Sequence, residues 1–377
     1  MSKITTVTVN DVPLDLNEVQ YEIKLQTGAS ARWALPQPTT AQLMLWTTDR
    51  LPVQVGDFVE WVTEENAPGT SRFRGQVTNT TLVHDRPGRV QTVATLAGPL
   101  LRLGRCNMGY DTMPEQPSSE RIVEIFNRAG VVCTVKAPEP DNTLVEFINN
   151  NQTCRSAFEA VMYSNPYDVW ELDQPIGGNS VDLYSEIGRI EPFDFVEIPA
   201  ANTIWEPTWY QDTGQVVNDV TVTYGPLNSG TAGQTESVRL VSNDSIAIYG
   251  PISTKVTTHL RDEDDAGYLA TRLIDTYAQA KWKISGAEID CITLDHDTHE
   301  EVVQNMRVGS RISLTQLPAP TPLQGGHFWV EGFTEYYAPD THTMTIALTP
   351  VLTGPLFDVA QFDNADPAAY ETAVLAY

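Results

Sequence analysis

The chain has 377 residues, 41% of them hydrophobic, and its 49 acidic side chains outnumber 23 basic ones to give a net charge of −26. That length spans two to three ordinary domains, so more than one core is expected, and no apolar run reaches the roughly 20 residues of a membrane span. Residues 1–105 carry ten acids and ten bases, so the whole acidic excess falls on 106–377, a balance that argues against binding nucleic acid through its phosphates. An acidic wall that nucleic acid slides past remains compatible with it. The opening Met1-Ser2-Lys3-Ile4 lacks the basic and apolar regions of a secretory signal, so synthesis in a cytoplasm is expected.

Thr5-Thr6-Val7-Thr8-Val9 alternates polar and apolar side chains and stops at Asn10-Asp11, and residues 19–25 alternate again. Further strand-like runs at 42–46, 57–62, 73–81 and 89–96, punctuated by turns, predict a small barrel or sandwich over 1–105. After Gly104 the period changes. Ser118 is placed to cap a helix whose apolar face is Ile122, Ile125, Phe126 and Ala129, with Gly130 as its stop. A second short helix starts near Thr153 and buries Ala157, Phe158, Val161 and Met162. Short strands at 169–172 and 181–184 complete an inserted mixed α/β domain over 106–198.

Strands resume at 216–224, and the Gly-, Ser- and Thr-rich residues 225–233 read as a loop. A helix is expected from about 264 to 280, with Ala266, Leu269, Ala270, Leu273 and Tyr277 on one face. Asp262, Glu263, Asp264 and Asp265 sit at its start, where the helix dipole favours negative charge. Residues 199–350 form a second β-domain carrying that helix. The tail at 351–377 is too apolar for an ordinary disordered end and is expected to pack on a neighbouring subunit or partner.

Self-similarity is the most informative signal. Val53-Gln54-Val55-Gly56-Asp57-Phe58-Val59 is followed by Phe73-Arg74-Gly75-Gln76-Val77-Thr78 and by a strand closing at Ala97-Gly98-Pro99. Near the other end, Asn305-Met306-Arg307-Val308-Gly309-Ser310-Arg311-Ile312 is followed by Phe328-Trp329-Val330-Glu331-Gly332-Phe333-Thr334 and by a strand closing at Leu348-Thr349-Pro350. The fold class expected is therefore mainly β (α+β), with one β-domain used twice. If three such chains close a ring, six similar domains surround the axis.

This order of motifs resembles the baseplate hub, or minor tail, proteins of long-tailed siphophages. Besides the segments above, it rests on residues 91–103 ending in Leu100-Leu101-Arg102-Leu103, on Glu120-Arg121-Ile122 with Ala129-Gly130-Val131, and on residues 217–225. The resemblance implies two tube-type β-barrel domains and a homotrimer at the end of the tail tube. It implies a place in the virion between the distal tail ring protein and the tip, fibre or spike proteins, with the tape-measure protein ending in the lumen through which DNA is ejected. Some relatives carry a peptidase or lysozyme domain; none is expected in this chain.

Chemical sites are sparse. Asp295-His296-Asp297-Thr298-His299-Glu300-Glu301 is the only dense set of metal-ligand types, yet the acids also suit capping of a short helix over 298–305. His84, His259, His327 and His342 stand apart from any nucleophile in the chain. Cys106, Cys133, Cys154 and Cys291 lack metal-ligand spacing and read as small apolar side chains. Trp205, Trp209 and Tyr210 suggest a host receptor- or glycan-binding module as the alternative to a structural role, with core packing as their plainer reading. A wall hydrolase is the least favoured. No residue is assigned as catalytic, cofactor-binding or metal-binding, and no cofactor is expected.

Overall fold

The computed structural model of the chain describes residues 4–15, 20–28, 39–47, 53–63, 72–86, 89–136, 142–149, 151–165, 170–173, 180–185, 196–199, 204–205, 208–211, 213–214, 216–225, 236–300, 302–303, 306, 308, 310–315 and 326–350. The expected tail at 351–377, and the expected loop beyond Gly225, lie outside them.

Seven strands come first: β1 (Ile4–Val9), β2 (Val12–Pro13), β3 (Gln20–Gly28), β4 (Thr40–Thr47), β5 (Phe58–Thr63), β6 (Phe73–Arg86) and β7 (Arg89–Ala97). In β4 the alternation is visible directly, since Ala41, Leu43 and Leu45 are buried while Thr40 and Gln42 face out, the two-residue period of a sheet with one wet face. The same period delivers Tyr21, Ile23, Leu25, Val59, Trp61, Val77, Ala94 and Leu96 into one apolar core. Gly56 starts β5 from a turn at φ 99°, and the Asp57 carboxylate closes that turn by accepting the Gln54 N–H at 2.6 Å.

The chain then folds α1 (Leu101–Arg105), β8 (Thr112–Met113), β9 (Gln116–Pro117), α2 (Ser118–Arg128), β10 (Val132–Lys136), β11 (Thr143–Leu144), β12 (Phe147–Ile148), α3 (Cys154–Tyr163), β13 (Trp170–Asp173) and β14 (Ser180–Ser185). Ser118 does not cap α2. Pro117 occupies the cap, and Ser118 is the buried first residue of the helix. The stop falls where expected: Gly130 takes φ 68°, and the Val131 N–H returns to the Phe126 carbonyl at 3.0 Å. Thr153 caps α3 by accepting the Ser156 N–H at 3.1 Å.

The remainder comprises β15 (Val196–Pro199), β16 (Ile204–Trp205), β17 (Thr208–Tyr210), β18 (Asp219–Tyr224), β19 (Glu236–Val241), α4 (Asn243–Tyr249), β20 (Ser253–Thr257), α5 (Glu263–Tyr277), β21 (Lys283–Asp290), α6 (His296–Glu300), β22 (Arg311–Thr315), β23 (Gly326–Ala338) and β24 (Thr341–Pro350). Helix α5 buries Ala266, Leu269, Ala270 and Ile274, with Leu273 packed at the margin. Strand β18 lies between β19 and β20. Asp219 ties the three together, accepting Arg239 through both carboxylate oxygens at 2.8 and 2.9 Å and the Ser253 hydroxyl at 2.7 Å.

The stretch from β18 to α5 packs on the helices rather than on the large sheet. Val220 and Val222 of β18 and Leu269 and Ala270 of α5 share one core with Ile122, Ile125 and Phe126 of α2 and Phe158 of α3. Hydrogen bonds cross the same boundary, from the His259 N–H to the Ser164 hydroxyl at 2.8 Å and from the Val145 N–H to the His259 carbonyl at 2.9 Å. Arg121 is buried in the middle, donating to the Pro114 and Val145 carbonyls at 2.6 and 2.8 Å.

The fold is mixed α/β, with most strands in one curled, open 14-stranded sheet whose main path is β16-β21-β24-β23-β3-β4-β7-β6-β5-β1-β2. Two separate tube-type barrels were expected. Among the described residues no second barrel stands by itself, because β23 pairs with β3 of the other β-unit and so merges the two strand sets.

Candidate functional site

The two similar sequence segments form the same strand order. The N-terminal set runs β4-β7-β6-β5 and the C-terminal set runs β21-β24-β23-β22, each an antiparallel meander with one further strand inserted beside its last member. Bulges fall at similar places, between Val77 and Asn79 in one and between Val330 and Gly332 in the other. The candidate site is where the two sets meet.

Strand β23 changes partner along one of its edges. Its first residues, 326–329, pair with β22 of its own set, whereas 332–337 pair with β3. The switch occurs opposite Gly28, which takes φ 82° and stands across from Gly332. Two glycines face each other there because the backbones approach too closely for a side chain.

Just beyond the switch lies a buried polar cluster. Glu335 is fully buried and receives Arg72 through two nitrogens, the Nε–H donating at 3.1 Å and Nη2–H to the other oxygen. The Tyr337 hydroxyl donates to the same carboxylate at 2.7 Å, and the Arg72 guanidinium stands over the Phe333 ring at 5.6 Å. Tyr337 belongs to the N-terminal core although it comes from the C-terminal strand. His342 stacks on Tyr337 at 4.2 Å, and His299 meets His342 edge-on at 6.1 Å. Burial pushes the Glu335 carboxyl up, but the charge and hydrogen bonds of Arg72 outweigh it and hold the group below its ordinary range. The pair is therefore an ionised clamp between the two β-units.

Burial, opposed by Glu335 and reinforced by Arg72 and His299, lowers His342 to about 4. Burial and then the charge of Arg121 bring His259, stacked on Phe147 at 4.3 Å, to about 4 as well. Both rings stay neutral in the fold while the unfolded chain protonates them below about pH 6.5. The unfolded state thus binds more protons between pH 6.5 and 4, and stability falls as pH drops through that window. By pH 5 the loss is expected to reach about 2 kcal/mol for each histidine. Urea midpoints recorded at neutral and mildly acid pH check this, and His259→Asn should reduce the dependence without touching the seam.

On the face of the sheet opposite its buried side chains, a row of paired residues runs across both strand sets. One register row crosses seven strands as Asp290, Thr343, Tyr336, Lys24, Gln42, Thr95 and Asn79. All seven are partly or fully exposed. The row holds one acid and one base among neutral polar side chains.

The other residues singled out by sequence are scattered. Asp295 caps α6, accepting the Thr298 N–H at 3.0 Å and its hydroxyl at 2.9 Å, so the acids there serve the helix start. Among the described residues no group of three or more His, Cys, Asp or Glu side chains is arranged to hold a metal. His84 is exposed near the tip of the β6–β7 hairpin, and His327 lies in β23. Trp209 packs at 6.2 Å from Phe328 in the core of the C-terminal set, Trp205 lies in β16, and Tyr210 is partly exposed. That placement favours packing over a glycan platform for Trp209. Cys154 and Cys291 are buried and Cys106 and Cys133 half-buried. Sequence reasoning passed over Arg72, Glu335 and Tyr337. The available signal was phase: Glu335 alternates in step with Phe333 and Tyr337, so a carboxylate sits where the pattern calls for an apolar side chain.

No family model matches the chain, and no curated protein matches it. Solved structures do share its fold. A 43 kDa tail protein of prophage MuSo2 from Shewanella oneidensis aligns at a TM-score of 0.66 and 8% identity, over 93% of this chain and 98% of that one. A tail protein from Neisseria meningitidis MC58 aligns at 0.62 and 11%, over 91% and 95%. An E. coli component of the type VI secretion system, described as structurally similar to T4 bacteriophage tail proteins, aligns at 0.55 and 10%, over 94% and 77%. At these identities the similarity is one of fold.

Proposed function

We propose that this chain is a structural component of a phage tail tip, a trimeric baseplate hub that joins the tail tube to the tip. In this reading three copies close a pseudo-sixfold ring in the virion. The distal tail ring protein lies on one side and the fibre or spike proteins on the other. The tape-measure protein ends in the lumen, and DNA leaves through it without specific binding. The role is one of assembly rather than catalysis, and the fold shared with a prophage tail protein and a second bacterial tail protein supports it.

The observation that carries the reading is the seam. Inside one chain, the C-terminal half of β23 docks edge to edge on β3. By strand order, β6 corresponds to β23, and β16 and β17, beside β21, correspond to β3 beside β4. Only residues 73–76 of β6 pair with β5, so among the described residues its outer edge over 79–86 has no strand beside it. A second copy presenting β16 and β17 to that edge would repeat between chains the contact already made within one, and a head-to-tail contact of that kind closes a ring of three when each step turns the chain by a third of a circle. The exposed side chains of Leu82 and Val83 lie on this stretch of β6.

Light scattering or native mass spectrometry of the full chain is expected to give three copies. The Leu82→Lys, Val83→Lys double variant, altered only at exposed positions, should shift the equilibrium at least tenfold toward single copies. A wild-type chain that remains a monomer at high concentration would overturn the reading.

A further inference from the structure

Two thiols that the chain places on either side of α2 stand side by side in the fold. Asn107 and Thr153 form an isolated antiparallel bridge. Flanking it, the Cys154 N–H donates to the Cys106 carbonyl at 2.8 Å and the Met108 N–H donates to the Gln152 carbonyl at 2.8 Å. In this register Cys106 lies directly opposite Cys154. One backbone bond joins them, the Cys154 N–H to the Cys106 carbonyl at 2.8 Å, which holds the two Cα atoms roughly 5–6 Å apart, inside the ~4.4–6.8 Å window a disulfide spans.

The surroundings suit a cross-link that forms slowly and lasts. Cys154 is the fully buried first residue of α3, packed in the core with Leu100, Leu103 and Phe158. Cys106 is half-buried at the end of α1, and its thiol reaches the Arg128 carbonyl at 3.3 Å. Burial, followed by the neighbouring Cys106 thiol, pushes Cys154 up to about 12. Cys106 is therefore the thiol that outside reagents meet first.

We propose that Cys106 and Cys154 are a disulfide-forming pair, closed by thiol–disulfide exchange when the folded protein meets a small-molecule disulfide. The Cys106 thiolate attacks the reagent, forming a mixed disulfide and expelling one small thiolate. Cys154 then gives up its proton and attacks the Cys106 sulfur, expelling the second. Two protein thiols are oxidised to one disulfide, one small disulfide is reduced to two thiols, and the two protons end on those thiols. The bond ties the end of α1, where the chain leaves the N-terminal strands, to the start of α3. The inference is independent of the assembly reading.

The test is to incubate the native chain with oxidised glutathione, block remaining thiols, denature and count. Two of the four thiols are expected to disappear, with a linked peptide containing Cys106 and Cys154. The melting temperature of the cross-linked chain should rise on the order of 5 °C, reversibly with reductant. Cys106→Ser, at the half-buried position, should abolish the loss, and Cys154→Ser should stop at a glutathione adduct on Cys106. Four surviving thiols in the native chain, a stable adduct on wild-type Cys106, a link through Cys133 or Cys291, or loss of two thiols in Cys106→Ser would each overturn the proposal.

Discussion

Glu335→Ala is expected to destabilise the chain by about 3–5 kcal/mol, the cost of leaving a buried partner charge uncompensated. Arg72 is itself buried, so the guanidinium cannot swing into water when its carboxylate is removed. The Tyr337 hydroxyl loses its acceptor at the same time, which adds the cost of an unsatisfied buried donor. Replacing both charges, with Arg72→Met and Glu335→Leu, should recover most of the loss, since a well-packed apolar pair is often no worse than a buried ion pair. Urea unfolding of the single and double variants measures this. Recovery less than half complete would mean that the cluster does more than neutralise itself. Hydrogen exchange adds location, because amides of β3 and of residues 332–337 should lose protection first in Glu335→Ala.

Gly28→Ala attacks the same seam through the backbone. A Cβ there would run into the Glu331 carbonyl, with Gly332 Cα and Val308 Cγ2 each at 2.7 Å, and the residue already holds φ 82°. The left-handed conformation costs about 1–2 kcal/mol for an alanine, and forced separation of packed backbone adds about 1–3 more. Gly56→Ala is the control: it shares the positive φ but has open space around the new methyl. A loss of stability at Gly28 several times that at Gly56, read by thermal or urea unfolding, is the expected result. Equal losses would show that close approach of β3 and β23 contributes little.

Much of the local structure was legible because the period was clean. β4 and β18 alternate, α2 and α3 show their apolar stripes, and Gly130 marks a helix end that only positive φ permits. β19, α4 and β20 were missed because residues 236–257 mix Ser, Thr, Asn and charged side chains without a dominant period. Their order comes from side chains such as Asp219 and Asn218, which bond across to them. Pairing of β23 with β3 joins residues some 300 positions apart, and no local pattern records such a contact. The merging of two expected barrels into one sheet followed from that single pairing. Arg72 and Glu335 were passed over because charged side chains ordinarily mark the wet face, and only their partnership across the seam makes burial tolerable.

The register row from Asp290 to Asn79 has a consequence for anything drawn along it. Its threonines, glutamine and asparagine hold a layer of water without holding ions, and its two charges are one acid, Asp290, and one base, Lys24, so a charged polymer crossing that row displaces few counterions. Its path meets a single base and a single acid, not the series of wells that spaced basic residues would cut or the ridges that a fence of carboxylates would raise. Sliding over such a face should be limited by viscosity and should change little with salt, whereas Thr343→Lys with Thr95→Lys would make it sticky in dilute buffer and slippery again in brine.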